Sequence, residues 1–462
     1  MHAEDITGIV TLTVLYFIQG ILLGLPLGSL PVLILGAGAD YQDISLLTFS
    51  SIFFSLKFLW ASVLDTHFIA SIGKRKTYIL PCNYITGALL LYIAYQIDAW
   101  FAQGSFFVMT VLFYIILFLA ATADIATDGW ALTLLSHDNV GYQSTCQSAG
   151  QFIGWFISQF ILIQLSSVEW CNSYIFSTPR DVPLVTVAGY MKFFGYFTLI
   201  VTVLVQFFKK ETNPEHREEA TILEIFKLLK AFTKVPYLRL LCIVLLTWKI
   251  GFSPVDAGGS LELIRKGFPK EWWATIGIIL APVQVLIAVV TGHFVVRKIE
   301  WSIFILMYII RLIGVAVVSL TVFSFDGPEE ASGIYFWVFL YALIYNVSSN
   351  MEMVCLGAFF ARICDPSIGG TFITAMNSMT NVGKVVFQPI SLSLIGLFGF
   401  KSMAILGFIF QAVYLIFGRG RIVNMQYLEK KYWKPYPDSP DRVNIPLLDL
   451  RSKQSGESKT SP

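Results

Sequence analysis

Charged side chains stand inside stretches of this sequence that are otherwise apolar. Lys57 lies in SLKFLW, Asp124 and Asp128 in ATADIATDGW, Lys249 and Asp256 on either side of GFSP, Arg311 in IIRLIG and Lys384 in NSMTNVGKVV. An ion at mid-bilayer costs about 2.5–3.5 kcal/mol on insertion scales, so each of these needs a partner or a water-filled cavity. Phe53, Lys57 and Trp60 share a face if their segment is one helix. An ammonium between rings suits a nucleotide, the charge for phosphate and the rings for the base; the same lysine could instead snorkel to the near surface. Asp124 and Asp128 lie one turn apart. They can share a proton and couple transport to pH, or pair with Lys57 as a structural gate, which is the favoured role.

Lys249 and Asp256, seven apart, face the same way across a Gly/Pro break. Arg311 has Glu352 within reach if its helix is peripheral. Asn377, Asn381 and Lys384 make a polar face that is the strongest candidate for ligand contact in the second half. Lys57, Lys249, Arg311 and Lys384 together suit an anionic solute, although intramembrane acids are about as numerous. Catalysis has weaker support. His2, His67, His137, His216 and His293 pair with no intramembrane Asp or Cys in a convincing constellation. No metal motif, phosphate-cradling loop or nucleotide-binding fold is visible, so neither an enzyme nor a cofactor is expected. The six cysteines include no C-x-x-C pair and read as small buried apolar residues.

The elements that must hold these residues are membrane helices. Of 462 residues, 56% are hydrophobic and 13% charged, about half the charged share of a soluble domain. The bilayer is therefore the expected solvent. A net charge of +2 argues against nucleic acid as a partner. Twelve stretches are long and apolar enough to span: 7–35, 44–64, 78–97, 105–135, 143–166 and 188–208, then 237–263, 272–296, 301–324, 332–363, 370–397 and 400–420. The start, MHAED, shows no cleavable signal peptide. With both termini cytosolic, the cytosolic segments carry 21 lysines and arginines against 5 on the other side, as the positive-inside rule requires. The domains expected are an N-terminal six-helix bundle (1–208), a cytosolic linker (209–236), a C-terminal bundle (237–420) and a largely disordered cytosolic tail (421–462). The sequon Asn346-Val347-Ser348 falls inside span 10, out of reach of glycosylation.

The halves correspond. Span 1 reads GILLGLPLGSLP, with Gly24 and Pro26; span 7 reads GFSPVDAGGS, with Pro254 and Asp256. Paired Gly/Pro-interrupted helices point to a transporter's central site, and Gly20, Gly24 and Gly28 also make a ridge for close packing. SHDNVGYQST and CDPSIGGTFIT place Asp138 and Asp365 where they can cap the helix that follows and contribute to gating. Asp65, Gly73, Lys74, Arg75 and Lys76 resemble the loop motif of the major facilitator superfamily, with wider spacing. The expected fold is thus all-α, a polytopic major facilitator protein with twelve transmembrane helices in two related halves.

The blocks Asp124–Gln151, Thr247–Glu271 and Asp365–Gly383, with GILLGLPLGSLP and SLKFLWASVLD, resemble the acetyl-coenzyme A transporter family along nearly the whole membrane region. The resemblance implies a solute carrier of the endoplasmic reticulum or Golgi membrane. It would move cytosolic acetyl-CoA into the lumen for lumenal acetyltransferases, and exchange for free CoA would return the spent carrier. On this reading Asp65, Asp138 and Asp365 stabilise cytosolic closure, and Lys57, Lys249 and Lys384 draw in phosphates. The loop between spans 11 and 12 (398–401) is shorter than in animal members, and Lys384 stands where they favour a small residue. The alternatives are a proton-coupled symporter for another anionic solute, muropeptide-like or nucleotide-like, and a membrane acyltransferase. Oligomeric state stays open, a homo-oligomer included.

Overall fold

The computed structural model describes residues 3–69, 71–136, 139, 142–209, 211, 235–295, 300–325, 327, 331–363, 369–428 and 433. Their regular elements are all helices. Twelve helical segments follow the expected order: α1 (3–36), α2 (41–66), α3 (Lys76–Gln103), α4 (Phe107–Leu134), α5 (142–165), α6 (Val187–Phe208), α7 (236–265), α8 (Lys270–Val295), α9 (Glu300–Ser324), α10 (Ala331–Ile363), α11 (Gly369–Phe398) and α12 (Phe400–Asn424). Among the described residues, nine are by themselves long and apolar enough to cross a membrane. α2 is not, because it breaks into Tyr41–Phe49, Ile52–Leu56, a 3-10 turn Lys57–Leu59 and Ala61–Thr66. α10 carries Asn346, Asn350 and Glu352 in its middle.

The chain divides into two compact units, Met1–Ile222 with Phe268–Ile278, and Leu223–Gly267 with Ile279–Pro462. In the first, α1 packs along α5 and α3 along α6; in the second, α9 packs along α10, and α7 against α11 and α12. Glycines set the closest approaches. A side chain at Gly20 would run into the backbone of Gln151, and one at Gly154 into the backbone of Phe17 and Ile21. Gly24 and Gly28 meet Ser158 and Gln159 in the same way, so the span 1 ridge is a packing surface for α5. In the second unit Gly251 and Gly407 abut each other.

Both anticipated breaks are present. α1 is π-helical over Leu25–Ser29, and α7 tightens to a 3-10 turn over Ile250–Phe252 just before Pro254. Proline has no N–H to give. A π-type bond from residue 26 would end on the carbonyl of Ile21. That oxygen accepts from Ser158 Oγ instead, at 3.0 Å, and Ser158 is also bonded to Tyr190 Oη at 2.7 Å. In α7 the N–H of Phe252 bonds to Lys249 O rather than Trp248 O. Trp248 O accepts from Gln411 Nε2 at 2.9 Å. Each break is thus closed by a polar side chain from a neighbouring helix, as buried carbonyls require.

Most of the expected linker (210 and 212–234) and of the tail lies outside the described residues. The bundle runs further than the expected end at 420. α12 continues to Asn424, a 3-10 turn follows over Met425–Tyr427, and Trp433 is buried against Tyr237 and Phe359. Cys82, Cys146, Cys171, Cys242 and Cys355 are free. Cys171, on a short helix Val168–Tyr174 between α5 and α6, is buried, as the cysteines were expected to be.

Candidate functional site

In the first unit α1, α2, α4 and α5 converge on one ionic cluster. The Lys57 ammonium donates to Asp124 Oδ2 and, at 3.3 Å, to Asp128 Oδ2. The carboxylates' other oxygens have donors of their own. Asp128 Oδ1 accepts from Tyr16 Oη at 2.6 Å, Gln147 Nε2 at 3.2 Å and Gln143 Nε2 at 3.4 Å. Asp124 Oδ1 accepts from Gln151 Nε2 at 3.3 Å, and that amide also donates to Gln19 Oε1 at 3.0 Å. Asp124 is 1% exposed, while Lys57 and Asp128 are 25% and 32% exposed.

A 3-10 turn over Lys57–Leu59 interrupts the helix that carries Phe53, Lys57 and Trp60, yet all three side chains meet α4. The two rings still converge. Both pack on Phe118 of α4, with centroids 5.4 and 5.3 Å away, and Trp60 Nε1 donates to Thr122 Oγ1 at 3.2 Å. They brace α2 on α4, so Lys57 stays over the two aspartates four residues apart.

The second unit repeats the charge pattern from different residues. Arg311 of α9 donates to Asp256 Oδ2 at 2.5 Å and Glu352 Oε2 at 2.7 Å, and its guanidinium lies over the rings of Phe252 and Tyr345. Arg311, Asp256 and Glu352 are 2%, 4% and 0% exposed. The Glu352 partner is the expected one. Asp256 joins it because the break before Pro254 starts a fresh helix with Asp256 in its first turn. Lys249 does not share this network. It is buried, lies over the Trp248 ring at 4.7 Å and touches Met353 Sδ at 3.8 Å, with no ion pair among the described residues. On α11, Asn377, Asn381 and Lys384 are all exposed. Lipid would penalise such a strip on a spanning helix, so this face borders water.

Gly24 and Pro26 sit at the α1 break and Pro254 at the α7 break. Asp138, Asp365 and the Asp65 side chain lie outside the described residues. The acid seen to organise the turn after α4 is Asp5. It accepts from the backbone and hydroxyl of Ser136 and from Asn139 Nδ2 at 2.8–3.0 Å. In the loop before α3, Gly73 takes φ +112°, a conformation that favours glycine. The N–H groups of Arg75 and Lys76 donate to Glu211, and Lys76 Nζ caps α6 through the carbonyls of Gln206 and Lys209. Sequence reasoning missed Tyr16, Asp5 and the glutamines. The available signal was the i, i+4, i+8 run of Gln143, Gln147 and Gln151 on the helix opposite the aspartates.

No group of three or more His, Cys, Asp or Glu side chains is placed to hold a metal among the described residues. The fold is that of a major facilitator transporter. A bacterial homologue of the human lysosomal transporter Spinster, in an inward-facing, unoccupied conformation, aligns over 95% of this chain and 100% of its own with a TM-score of 0.64 at 13% identity. A mutant of the nucleoside transporter NupG aligns over 90% and 99% with a TM-score of 0.65, also at 13% identity.

The sequence narrows this class to a family. The model of the family described as acetyl-coenzyme A transporter 1 matches residues 8–220 and 301–426, and the chain belongs to that family. An uncharacterised protein of Schizosaccharomyces pombe is 33% identical over 385 residues, covering 83% of this chain and 73% of its own. An uncharacterised membrane protein of Saccharomyces cerevisiae is 25% identical, covering 86% and 84%. A putative AmpG transporter of Rickettsia conorii is 20% identical, covering 78% and 85%.

Proposed function

We propose that this protein carries acetyl-CoA from the cytosol into the lumen of the endoplasmic reticulum or Golgi by alternating access, with free CoA as the exchanged product. The observation that carries the reading is the water-facing strip Asn377, Asn381 and Lys384 on a spanning helix, in a unit where buried Lys249 forms no close ion pair among the described residues. Acetyl-CoA bears about four negative charges, mostly on phosphates, and ammonium and amide donors are apt partners for them. The loop charge asymmetry supports cytosolic termini, and on this reading lumenal acetyltransferases use the delivered acetyl-CoA. The π turn in α1 and the 3-10 turn in α7 are the flexible points.

The test is uptake of labelled acetyl-CoA into liposomes holding the purified protein, with free CoA competing from outside and accelerating exchange from inside. Absence of uptake in both orientations, in vesicles where a control carrier works, would overturn the proposal.

A further inference from the structure

We infer that an anionic cargo group takes Lys57 away from Asp124 and Asp128, and that one proton from water takes the place of the ammonium on the carboxylate pair. This rests on the carrier reading above and gives it a coupling ion. The asymmetry of the cluster carries the inference. The carboxylates keep hydroxyl and amide donors that do not depend on Lys57: Tyr16, Gln143 and Gln147 on Asp128, and Gln151 on Asp124. The ammonium has the two carboxylates as its polar partners. It is also a quarter exposed, so an anion arriving in water can reach it. Lys57 can therefore be drawn away while each carboxylate keeps a donor on its Oδ1, and the two Oδ2 atoms it leaves are where a proton can take its place.

Its departure leaves two negative charges one helical turn apart, with Asp124 buried. Amides and hydroxyls bring hydrogen bonds but no charge. Like charges this close do not both stay ionised in a site of low dielectric. The groups facing the pair are Tyr16 and Gln19 from α1, Lys57 from α2, and Gln143, Gln147 and Gln151 from α5. Arg75 lies against Gly129, beside Asp128. The exchange balances in charge and atoms. The Lys57 contact to the carboxylates breaks, an N–H···O contact to a cargo phosphate forms, and a buffer acid in the water gives up a proton, left as its conjugate base, to make an O–H bond on the pair. Asp128, a third exposed, is where that proton enters. No oxidation or reduction is involved.

Titrating the full-length protein with acetyl-CoA calorimetrically, in buffers of different ionisation enthalpy, counts the protons. About one proton taken up per acetyl-CoA bound is expected for the wild type, and close to none for Asp128→Asn, whose pair already lacks a charge. Wild-type binding without proton uptake, or binding that requires sodium when choline replaces it, overturns the inference while leaving the carrier reading intact. A second arm needs no cargo. Modification of Lys57 by an amine-reactive reagent, read by mass spectrometry at fixed pH, should rise several-fold in Asp128→Asn. If acetyl-CoA does not bind at all, the carrier reading falls, and equal labelling of wild type and variant then overturns the exchange as well.

Discussion

Two clusters of one base and two acids occupy the two units, and they differ in almost everything but formula. Around Lys57 all four carboxylate oxygens meet a donor, and the base and one acid touch water. Around Arg311 all three groups are sealed, and Asp256 Oδ1, Glu352 Oε1 and Arg311 Nε have no hydrogen-bond partner among the described residues. A planar guanidinium held between two acids and over two rings fixes α7, α9 and α10 together. A lysine on a 3-10 turn, beside acids with donors to spare, is built to move. The chain thus uses one charge pattern twice, once as a pin and once as an exchangeable contact.

The largest expected effect breaks the pin. Arg311→Ala leaves two carboxylates buried without their cation, which costs about 3–5 kcal/mol; the folded, monodisperse fraction and the melting temperature in detergent should fall sharply. Lys57→Ala should cost far less, because Tyr16 and the glutamines still meet the carboxylates and Asp128 can take a proton. Its transport should be lost at a nearly unchanged melting temperature. Equal destabilisation by the two substitutions would erase the distinction between pin and exchangeable contact.

The helix breaks supply the next comparison. Ser158→Ala removes the donor that closes the α1 break, and Gln411→Ala the one that closes the α7 break. An orphaned buried carbonyl costs about 1–3 kcal/mol, so both should lower the melting temperature, by less than Arg311→Ala does. Gln411 also bonds Tyr308 and therefore joins α12 to α9. The drop at Gln411 should exceed that at Ser158, and thermal melts of the two variants side by side check the order.

Much of this was legible in the residues. Apolar length set all twelve helices to within a few residues, and Gly/Pro content marked both breaks, since a missing N–H is a local fact. Pairing was less legible. That Asp256 pairs with Arg311 depends on the break before Pro254, which starts a fresh helix with Asp256 in its first turn. Tyr16 and the glutamines stood out less, because uncharged side chains in an apolar helix carry no large insertion penalty, and the spacing of Gln143, Gln147 and Gln151 was their one trace in the sequence. Which of them reach the aspartates is a matter of how α1 and α5 cross, and the glycine contacts set that crossing.

The smallest expected effect on stability is also the sharpest test of the second unit. Lys249 is buried against Trp248 and a thioether and forms no ion pair among the described residues. Methionine has nearly the same length and volume without the charge. Replacing a buried ion by a well-fitting apolar group is commonly neutral or stabilising, so Lys249→Met should leave the melting temperature unchanged or raise it slightly. If the ammonium serves a cargo phosphate, the same variant should bind acetyl-CoA about tenfold more weakly, a loss near 1.4 kcal/mol. Lys384→Ala, on the exposed strip, should weaken binding by a similar factor and reduce its sensitivity to salt. A Lys249→Met protein that is stabilised and binds acetyl-CoA like the wild type would confine the second unit's anion contact to α11. A protein that is stabilised yet binds poorly would show a buried charge kept for its ligand at the expense of the fold.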